Sequence, residues 1–256
     1  MLYGLYLSAQ GATAQSQRLD VIANNIANAS TSGFKRDLAI FRQMEPHDMA
    51  LGLEEELPGN LDEHTGGLVL DEVVTDFTGG PLLDTGSNLD VAITGPGFLQ
   101  VSDGQKQYLT RDGQMTLNGN GELVTVAGNM QVMSASGTPI TLPPDTTQVA
   151  ISSTGAISVS VDNKTMVPLS QLGVVTPRDF KALEKQGENL FVSHGPIDPA
   201  APDVMVKQGY LEGSGVESVS EMLQMIETSR AFESNLNMAK FQDESLGALL
   251  GSLGRV

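Results

Sequence analysis

Cysteine and tryptophan are both absent from the sequence. Without a thiol the chain can form no disulfide, no thiolate metal site and no cysteine nucleophile. Aromatic residues make up only 5% of the chain, whereas glycine occurs 28 times. Few large rings and many glycines are typical of short strands joined by turns rather than of a large helical core. The composition therefore favours a β-rich body.

Basic residues are also scarce, with 14 Lys and Arg against 31 Asp and Glu and a formal net charge of −17. Phosphate groups repel a polyanion of this size, which excludes nucleic acid and anionic membrane faces as partners of its bulk surface. No Lys or Arg occurs between Arg42 and Lys106, and that interval holds 13 of the acidic residues. Because this region also lacks a lasting hydrophobic period up to about Gly67, we predict an extended acidic connector over residues 33–75.

A long apolar segment is missing as well. No stretch approaches the roughly 20 consecutive apolar residues that a membrane-spanning helix needs. The N-terminus does not resemble a cleaved secretory signal, because the first basic residue is Arg18 and the run MLYGLYLSAQ is short and interrupted. We therefore expect a protein that is either cytoplasmic or exported by a route that reads no such signal.

The N-terminal end of the chain carries a helical pattern. From Leu2 to about Ala29 there is no proline, and apolar or small residues recur in alternating steps of four and three. This spacing predicts a helix with a narrow stripe near the seven-residue period. The stripe consists of Leu5, Ala9, Ala12, Ser16, Leu19, Ala23, Ile26 and Ser30. Turn-forming residues and Gly33 should end the helix.

The C-terminal segment repeats the pattern from Val216 onward. Its stripe consists of Met222, Ile226, Ser229, Phe232, Leu236, Ala239, Asp243, Leu246, Leu250 and Leu253. Either helix could pack on its own domain, as an amphipathic helix commonly does. Two narrow stripes at opposite ends of a chain, separated by β-like sequence, favour instead a coiled-coil-like pair made by both ends.

The middle of the chain has the pattern of strands. Turn signals separate predicted strands at 89–94, 98–102, 106–111, 114–117, 122–126, 149–152, 156–161 and 168–176. We expect strands to about Val174 and then one helical turn near 177–184. The pair Asp112-Gly113 predicts a two-residue hairpin, and residues 118–121 predict a hairpin turn. The predicted fold class is thus α+β, with a mainly β central domain between two terminal helices.

The sequence contains no catalytic or metal-binding constellation. The three histidines, His47, His64 and His194, have no neighbouring nucleophile and form no zinc-binding helical motif. Residues 118–122 lack the leading Asp and the distal Glu of a calcium loop. We therefore predict a protein that is not an enzyme and has no catalytic, metal, cofactor or small-molecule substrate site.

Residues 23–35 read ANNIANASTSGFK. This run resembles the N-terminal signature of the flagellar axial proteins (rod, hook and hook-associated), which has the form ANN(L/I)AN-x-x-T-x-G(F/Y)(K/R). The matching residues of the motif include Asn24, Asn25, Asn28, Thr31, Gly33, Phe34 and Lys35. Further stretches are similar to the same family, at 89–98 and 108–113 in the middle and at 208–216, 221–226 and 230–233 near the C-terminus. Gly215 stands where the family usually has asparagine, a residue suited to a helix cap.

The resemblance implies a structural subunit of the flagellar basal-body rod. Length and a single β domain favour a rod protein over a hook protein, and Leu211-Glu-Gly-Ser favours a proximal-rod over a distal-rod protein. In this family both terminal helices lie in the inner layer of a helical tube that transmits torque and conducts exported subunits. The resemblance therefore implies a homo-oligomer with other axial proteins as neighbours, export by the flagellar type III apparatus without a cleaved signal peptide, and a periplasm-spanning location.

The stripes and the resemblance together define a predicted assembly interface. Its residues are Leu5, Ala9, Ala12, Leu19, Ala23, Ile26, Met222, Ile226, Phe232, Leu236, Leu246 and Leu250. The predicted domains are an inner-domain helix at 1–32, the connector at 33–75, the β-rich domain at 76–205, and a connector strand and helix at 206–256. The alternatives are a hook or other axial protein of the same family, or a secreted β-rich binding module with a helical stalk.

Overall fold

Long helices form at both ends of the chain, as the sequence predicts. The computed structural model describes residues 2–44, 67–161, 165–201 and 203–253. Helix α1 spans Leu2–Ala27, and helix α2 spans Ser218–Leu253. Within these residues, no helix is both long enough and apolar enough to cross a membrane. The turn after α1 ends at Gly33, whose φ of 69° is a left-handed conformation that glycine adopts without strain.

The chain divides into two units. Unit 1 contains residues 1–27, 37–75 and 217–256, and unit 2 contains residues 28–36 and 76–216. The domains predicted from the sequence are divided differently, because they assign 28–36 and 206–216 to the helical ends and the connector. In the structure both segments lie in unit 2, where the Gly33 amide donates a hydrogen bond to the Glu212 carbonyl oxygen at 2.8 Å.

Unit 1 contains the helix pair and a β-hairpin. Strand β1 (Asp37–Gln43) and strand β2 (Leu68–Thr75) pair antiparallel, with Asp37 opposite Thr75. Helix α1 packs against α2 and also against both strands. The sequence predicted that the two terminal helices pair with each other, and the structure confirms it.

The hairpin lies within the segment predicted as an extended connector. The sequence did not reveal its strands, because Asp71 and Glu72 stand side by side in β2 and break the alternation of apolar and polar residues. Residues 45–66 lie outside the described residues. The predicted features there, including His47, His64 and the acidic run, therefore have no structural description.

Unit 2 is built from short strands. These are β3 (Leu82–Asp84), β4 (Val91–Thr94), β5 (Phe98–Ser102), β6 (Gln107–Thr110), β7 (Met115–Leu117), β8 (Leu123–Thr125), β9 (Gln131–Val132), β10 (Gln148–Ile151), β11 (Ala156–Ser160), β12 (Val167–Gln171), β13 (Val174–Pro177), β14 (Leu183–Gly187), β15 (Leu190–Ser193), β16 (Ile197–Pro199), β17 (Met205–Gln208) and β18 (Tyr210–Glu212). Together with the two helices they confirm the α+β class.

A nine-stranded sheet forms the centre of unit 2. Its main path runs β14-β15-β6-β5-β9-β8-β7, and β13 joins it by pairing with both β5 and β16. Strands β10, β11 and β12 form a second sheet, while the late strands β17 and β18 pair with the early strands β4 and β3. The end of unit 2 is thus hydrogen-bonded to its beginning.

Two apolar clusters form the core of unit 2. The larger one includes Val91, Leu99, Val101, Val132 and Ile157, which are all fully buried. The smaller one is aromatic: it contains the rings of Phe77, Phe98, Phe180 and Phe191, with neighbouring ring centroids 5.3 to 6.2 Å apart. Four of the chain's few aromatic residues therefore meet at one place, and their rings make edge-on or tilted contacts.

Several strand predictions need correction. The strand predicted at 168–176 is two strands, because the main chain changes partners at Gly173: its amide donates to the Met133 carbonyl and its carbonyl accepts from the amide of Gln100 in β5. The helical turn near 177–184 is confirmed at Phe180–Ala182. The strands do not end near Val174, however, since β14, β15 and β16 follow that turn. Strands of three to five residues are too short for a period to stand out.

The predicted hairpin at Asp112-Gly113 is wrong, whereas the hairpin turn at 118–121 is confirmed by the pairing of β7 with β8. Strands β6 and β7, on either side of Asp112-Gly113, do not pair with each other. The Gly113 carbonyl instead accepts a hydrogen bond from the Val91 amide, and a Cβ at Gly113 would overlap the Val91 carbonyl oxygen. The glycine is therefore needed for close backbone approach and not for a tight turn.

We expect Gly113→Ala to lower the free energy of unfolding by about 2–3 kcal/mol, because the new Cβ must displace the backbone of β4. Urea unfolding of the full chain measures the change. Gly119→Ala is the matched control, since a Cβ there meets no atom within 4 Å. Equal stabilities of the two variants would contradict the close approach as the reason for Gly113.

Candidate functional site: the helix pair and the buried ion cluster

Small and polar residues lie at the points of closest approach between α1 and α2 in unit 1. A Cβ added to Gly4 would lie 2.9 Å from Nε2 of Gln242, and one added to Gly11 would lie 3.1 Å from Nδ2 of Asn235. Glycines therefore let α1 approach α2 closely at these points. Steps of seven forward along α1 correspond to steps of seven backward along α2, so the helices are antiparallel and follow a heptad period.

Asn25 of the N-terminal motif links three elements of unit 1. Its Nδ2 donates to the Asp37 carbonyl oxygen at 2.8 Å, and its Oδ1 accepts from the Asp37 amide at 2.9 Å. The same Nδ2 lies 3.4 Å from Oε2 of Glu221 in α2. Asn25 and Glu221 are both buried. Asn25 thus both donates to and accepts from the main chain of Asp37, the first residue of β1. A side chain with one donor and one acceptor group is needed at this position.

The predicted assembly residues occupy different environments in the helix pair. Ala12 is buried; Leu5, Leu19, Ile26, Phe232 and Leu246 are half-buried; Ala9, Ala23, Met222, Ile226, Leu236 and Leu250 are exposed. Further apolar side chains of α2 are exposed as well, namely Val219, Leu223, Met225, Met238, Phe241 and Leu249. The pairing of α1 with α2 thus leaves a long apolar surface of α2 open. Its use in assembly stays a prediction.

The second half of the N-terminal motif is fixed inside unit 2. A Cβ at Gly33 would lie 2.5 Å from the Arg111 carbonyl carbon, so no larger residue fits there. Phe34 is buried, and the Lys185 ammonium lies 4.2 Å from the centre of its ring. Thr31 Oγ1 bonds Asn28 Oδ1 at 3.3 Å within the turn.

Lys35 ends the motif in a buried ion cluster with Glu212 and Arg111. Lys35 Nζ lies 2.6 Å from Glu212 Oε1, and Arg111 Nη1 lies 3.3 Å from Glu212 Oε2. The side chains of Lys35, Arg111 and Glu212 are only 1%, 3% and 3% exposed. Main-chain groups complete the cluster. Lys35 Nζ donates to the Thr78 carbonyl at 2.9 Å, and the Gly80 amide donates to Glu212 Oε1 at 2.9 Å.

Burial governs the electrostatics of this cluster. Removal from water lowers the pKa of Lys35 and of Arg111, and the Glu212 carboxylate opposes that change in both. Two cations share one buried anion, with Arg111 also donating to the carbonyls of Ile93 and Gly95. The carboxylate of Glu212 is therefore the group that makes burial of both cations tolerable.

The three charged residues come from three of the stretches that resemble the flagellar family: Lys35 from 23–35, Arg111 from 108–113 and Glu212 from 208–216. Sequence reasoning included Lys35 in the motif and missed the roles of Arg111 and Glu212. The sequence does carry a signal for Arg111 and Glu212, because each is an ionised residue next to a strand-like apolar run. The pairing itself required the fold.

The described residues contain no group of three or more His, Asp and Glu side chains placed to hold a metal ion. Of the histidines, His194 is described, and its Nε2 lies 2.8 Å from Glu184 Oε2 at the exposed surface.

We expect Glu212→Gln to lower the free energy of unfolding by about 3–5 kcal/mol, because Lys35 and Arg111 would be left buried without a counter-charge. Urea unfolding of the full chain measures the loss. Asp198→Asn is the control: it breaks the exposed ion pair with Arg178 and should change stability little. A loss in Glu212→Gln no larger than in the control would show that the cluster is not needed for stability.

Asp112 gives a prediction for pH dependence. Burial raises the pKa of the Asp112 carboxyl above its ordinary value of 3.8, so the folded state disfavours its ionised form. The stability that Asp112 contributes is thus complete below about pH 3.8 and is lost as pH rises through the higher folded-state pKa. Asn in its place keeps the acceptor for the Gln114 amide without the charge.

The free energy of unfolding of Asp112→Asn, relative to the unsubstituted chain, should therefore rise between about pH 3 and pH 7. Urea unfolding at several pH values measures it. Asp145→Asn, at an exposed position of the same unit, should show no comparable rise. A flat or falling difference for Asp112→Asn would contradict the effect of burial on this carboxyl.

Three family models match the chain. Residues 5–35 match the flagella basal body rod protein model, residues 92–159 match the flagellar hook protein FlgE/F/G D1 domain, and residues 207–251 match the flagellar basal body rod FlgEFG protein C-terminal model. The first contains the N-terminal motif, the second contains Arg111, and the third contains Glu212. The matched segments thus include every member of the ion cluster.

Curated relatives match along almost the entire length. The chain is 35% identical to the flagellar basal-body rod protein FlgG of Buchnera aphidicola subsp. Schizaphis graminum, over 97% of this chain and 99% of the relative. It is 34% identical to FlgF of Caulobacter vibrioides, over 98% of both chains, and 32% identical to FlgG of Bacillus subtilis, also over 98% of both. Identity of this extent, with both helical ends and the β-rich middle included, shows that the chain belongs to the family of flagellar basal-body rod proteins.

Proposed function

We propose that this chain is a structural, non-enzymatic subunit of the bacterial flagellar basal-body rod. In the proposal it polymerises through its terminal helices into a helical tube that transmits torque and conducts exported subunits. The observation that carries the proposal is the helix pair, in which the two ends of the chain meet while the apolar side of α2 stays exposed.

The exposed apolar surface supports polymerisation energetically. Burial of one Ile, Met or Phe side chain contributes about 1.5–3 kcal/mol, and α2 exposes several of them. They stay exposed when α1 pairs with α2, because the side of α2 that faces α1 carries other residues, among them Glu221, Asn235 and Gln242. Heterologous contacts between neighbours that do not close into a ring produce a helical assembly.

The proposal also names the protein partners of the chain and its export route. Neighbours in the tube would be further copies of this chain and other flagellar axial proteins, and the flagellar type III apparatus would export the chain without cleaving it. The packing of α1 supports export without cleavage. Gly4 and Gly11 lie against α2, so removal of α1 would leave α2 without its partner helix. The basal body is the location that the family supports.

The position along the rod is also proposed, and we favour the proximal rod. The resemblance favoured that position through Leu211-Glu-Gly-Ser.

We expect Ile226→Asp to abolish swimming when it replaces the natural chain in a deletion strain. Ile226 is 51% exposed, so the isolated variant should keep its free energy of unfolding to within about 0.5 kcal/mol, while a buried carboxylate at a subunit contact would block assembly. Electron microscopy of basal bodies measures whether rods form.

Asn120→Asp adds the same charge at an exposed turn of unit 2 and should leave rods and swimming intact. Swimming of the deletion strain itself would overturn the rod function. Intact rods with Ile226→Asp would remove Ile226 from the assembly surface.

A further inference from the structure

The side of α2 that faces α1 carries a polar residue at every seventh position. Glu221, Thr228, Asn235 and Gln242 form this polar stripe. Glu221 and Thr228 are buried, and Asn235 and Gln242 are half-buried. At 100° per residue, Ile226 lies on the opposite side of the helix from the stripe. The row of α2 nearest to α1 is thus mainly polar, with Phe232, Ala239 and Leu246 half-buried on the same side.

This arrangement is unfavourable for the strength of the helix pair. The side-chain oxygens of Gln15 and Gln242 are buried and have no hydrogen-bond partner among the described residues. An unpartnered buried acceptor lowers stability, and leucine at the same positions of a heptad would pack better. A pair of helices that needed only strength would use the apolar side of α2.

Polar residues at the seam of a helix pair specify which partner and which register form, because only one alignment places them opposite compatible groups. Here the compatible groups are glycines. The amide of Gln242 lies over Gly4 and that of Asn235 lies over Gly11, and residues with a side chain at those two sites of α1 would collide with them. A slip of one turn along α1 would place Gln242 opposite Ser8 instead of Gly4.

We propose that Thr228 and Asn235 are specificity-determining residues that fix the register of α2 on α1. The register is a property of the single chain, and only its consequence for the exposed apolar side chains of α2 rests on the proposed function. Replacement of both polar residues by leucine removes the requirement for compatible groups on α1, so other registers become comparable in stability.

The absence of cysteine makes the register directly measurable by disulfide cross-linking. The native pair Gly4→Cys with Gln242→Cys reports the register of the structure, and the slipped pair Ser8→Cys with Gln242→Cys reports a shift by one turn. Both pairs leave Thr228, Asn235 and Gly11 unchanged. Each pair is placed in the full chain, oxidised at low protein concentration, and the intramolecular product is quantified on a denaturing gel. In the unsubstituted background the native pair should exceed the slipped pair by about tenfold or more.

The test background carries Thr228→Leu and Asn235→Leu. We expect the native and slipped pairs to cross-link there to within about threefold of each other. The control background carries Ser234→Leu and Asn237→Leu, which add the same apolar groups at exposed positions of α2 and should keep the native preference. Retention of the native preference in the test background would overturn the proposal.

Failure of the native pair to cross-link in the unsubstituted background would also overturn it. Loss of preference in both the test and the control background would show an effect of hydrophobicity alone and would likewise reject the polar stripe. Because all of these measurements use the isolated chain, they are independent of the swimming assay. A strain that swims without this protein would refute the rod function, whereas the cross-linking result could still be interpreted.

Discussion

The carboxylate of Glu212 holds unit 2 in its observed form. It lies between two buried cations, Lys35 and Arg111, and accepts a further hydrogen bond from the Gly80 amide. Such a cluster is weak evidence for high stability, because desolvation of three ions offsets much of their attraction. The cluster instead fixes geometry, because the buried cations of Lys35 and Arg111 are stable only at positions next to the Glu212 carboxylate. The path of residues 28–36, the end of β6 and the end of β18 are thereby fixed to one another.

The helix pair of unit 1 follows a different rule. Its contact surface contains glycines, amides and a carboxylate together with the half-buried Phe232 and Leu246, while other apolar side chains of α2 remain exposed. In the proposed rod those exposed groups would contribute burial energy between subunits. The polar contacts are the selective part of the pair, because they select the partner and its register within the subunit. Asn25 belongs to the selective part, since it bonds β1 in both directions and approaches Glu221.

The sequence predicted those features that depend on local pattern. Periodicity and the lack of proline were enough for α1 and α2, and the turn signal at 118–121 was enough for the β7–β8 pair. Prediction failed where distant parts of the chain decide the outcome. The turn signal at Asp112-Gly113 was overridden because Gly113 is needed against Val91, and β1 with β2 was hidden because neighbouring acidic residues obscured the strand period. The ion cluster could not be derived at all, since Lys35 and Glu212 are separated by 177 residues and only the fold brings them together.

The order in which the strands pair has a consequence for timing. Strand β3 pairs with β18, and β4 pairs with β17. These two early strands therefore cannot pair until residues 205–212 are available. Until then Lys35 and Arg111 also lack their anion. In a chain that is still being synthesised, β3 and β4 therefore take their final places last, whereas the nine-stranded sheet can form earlier because its strands all lie between residues 98 and 199. Completion of the subunit is in this way tied to delivery of the same C-terminal segment that carries α2.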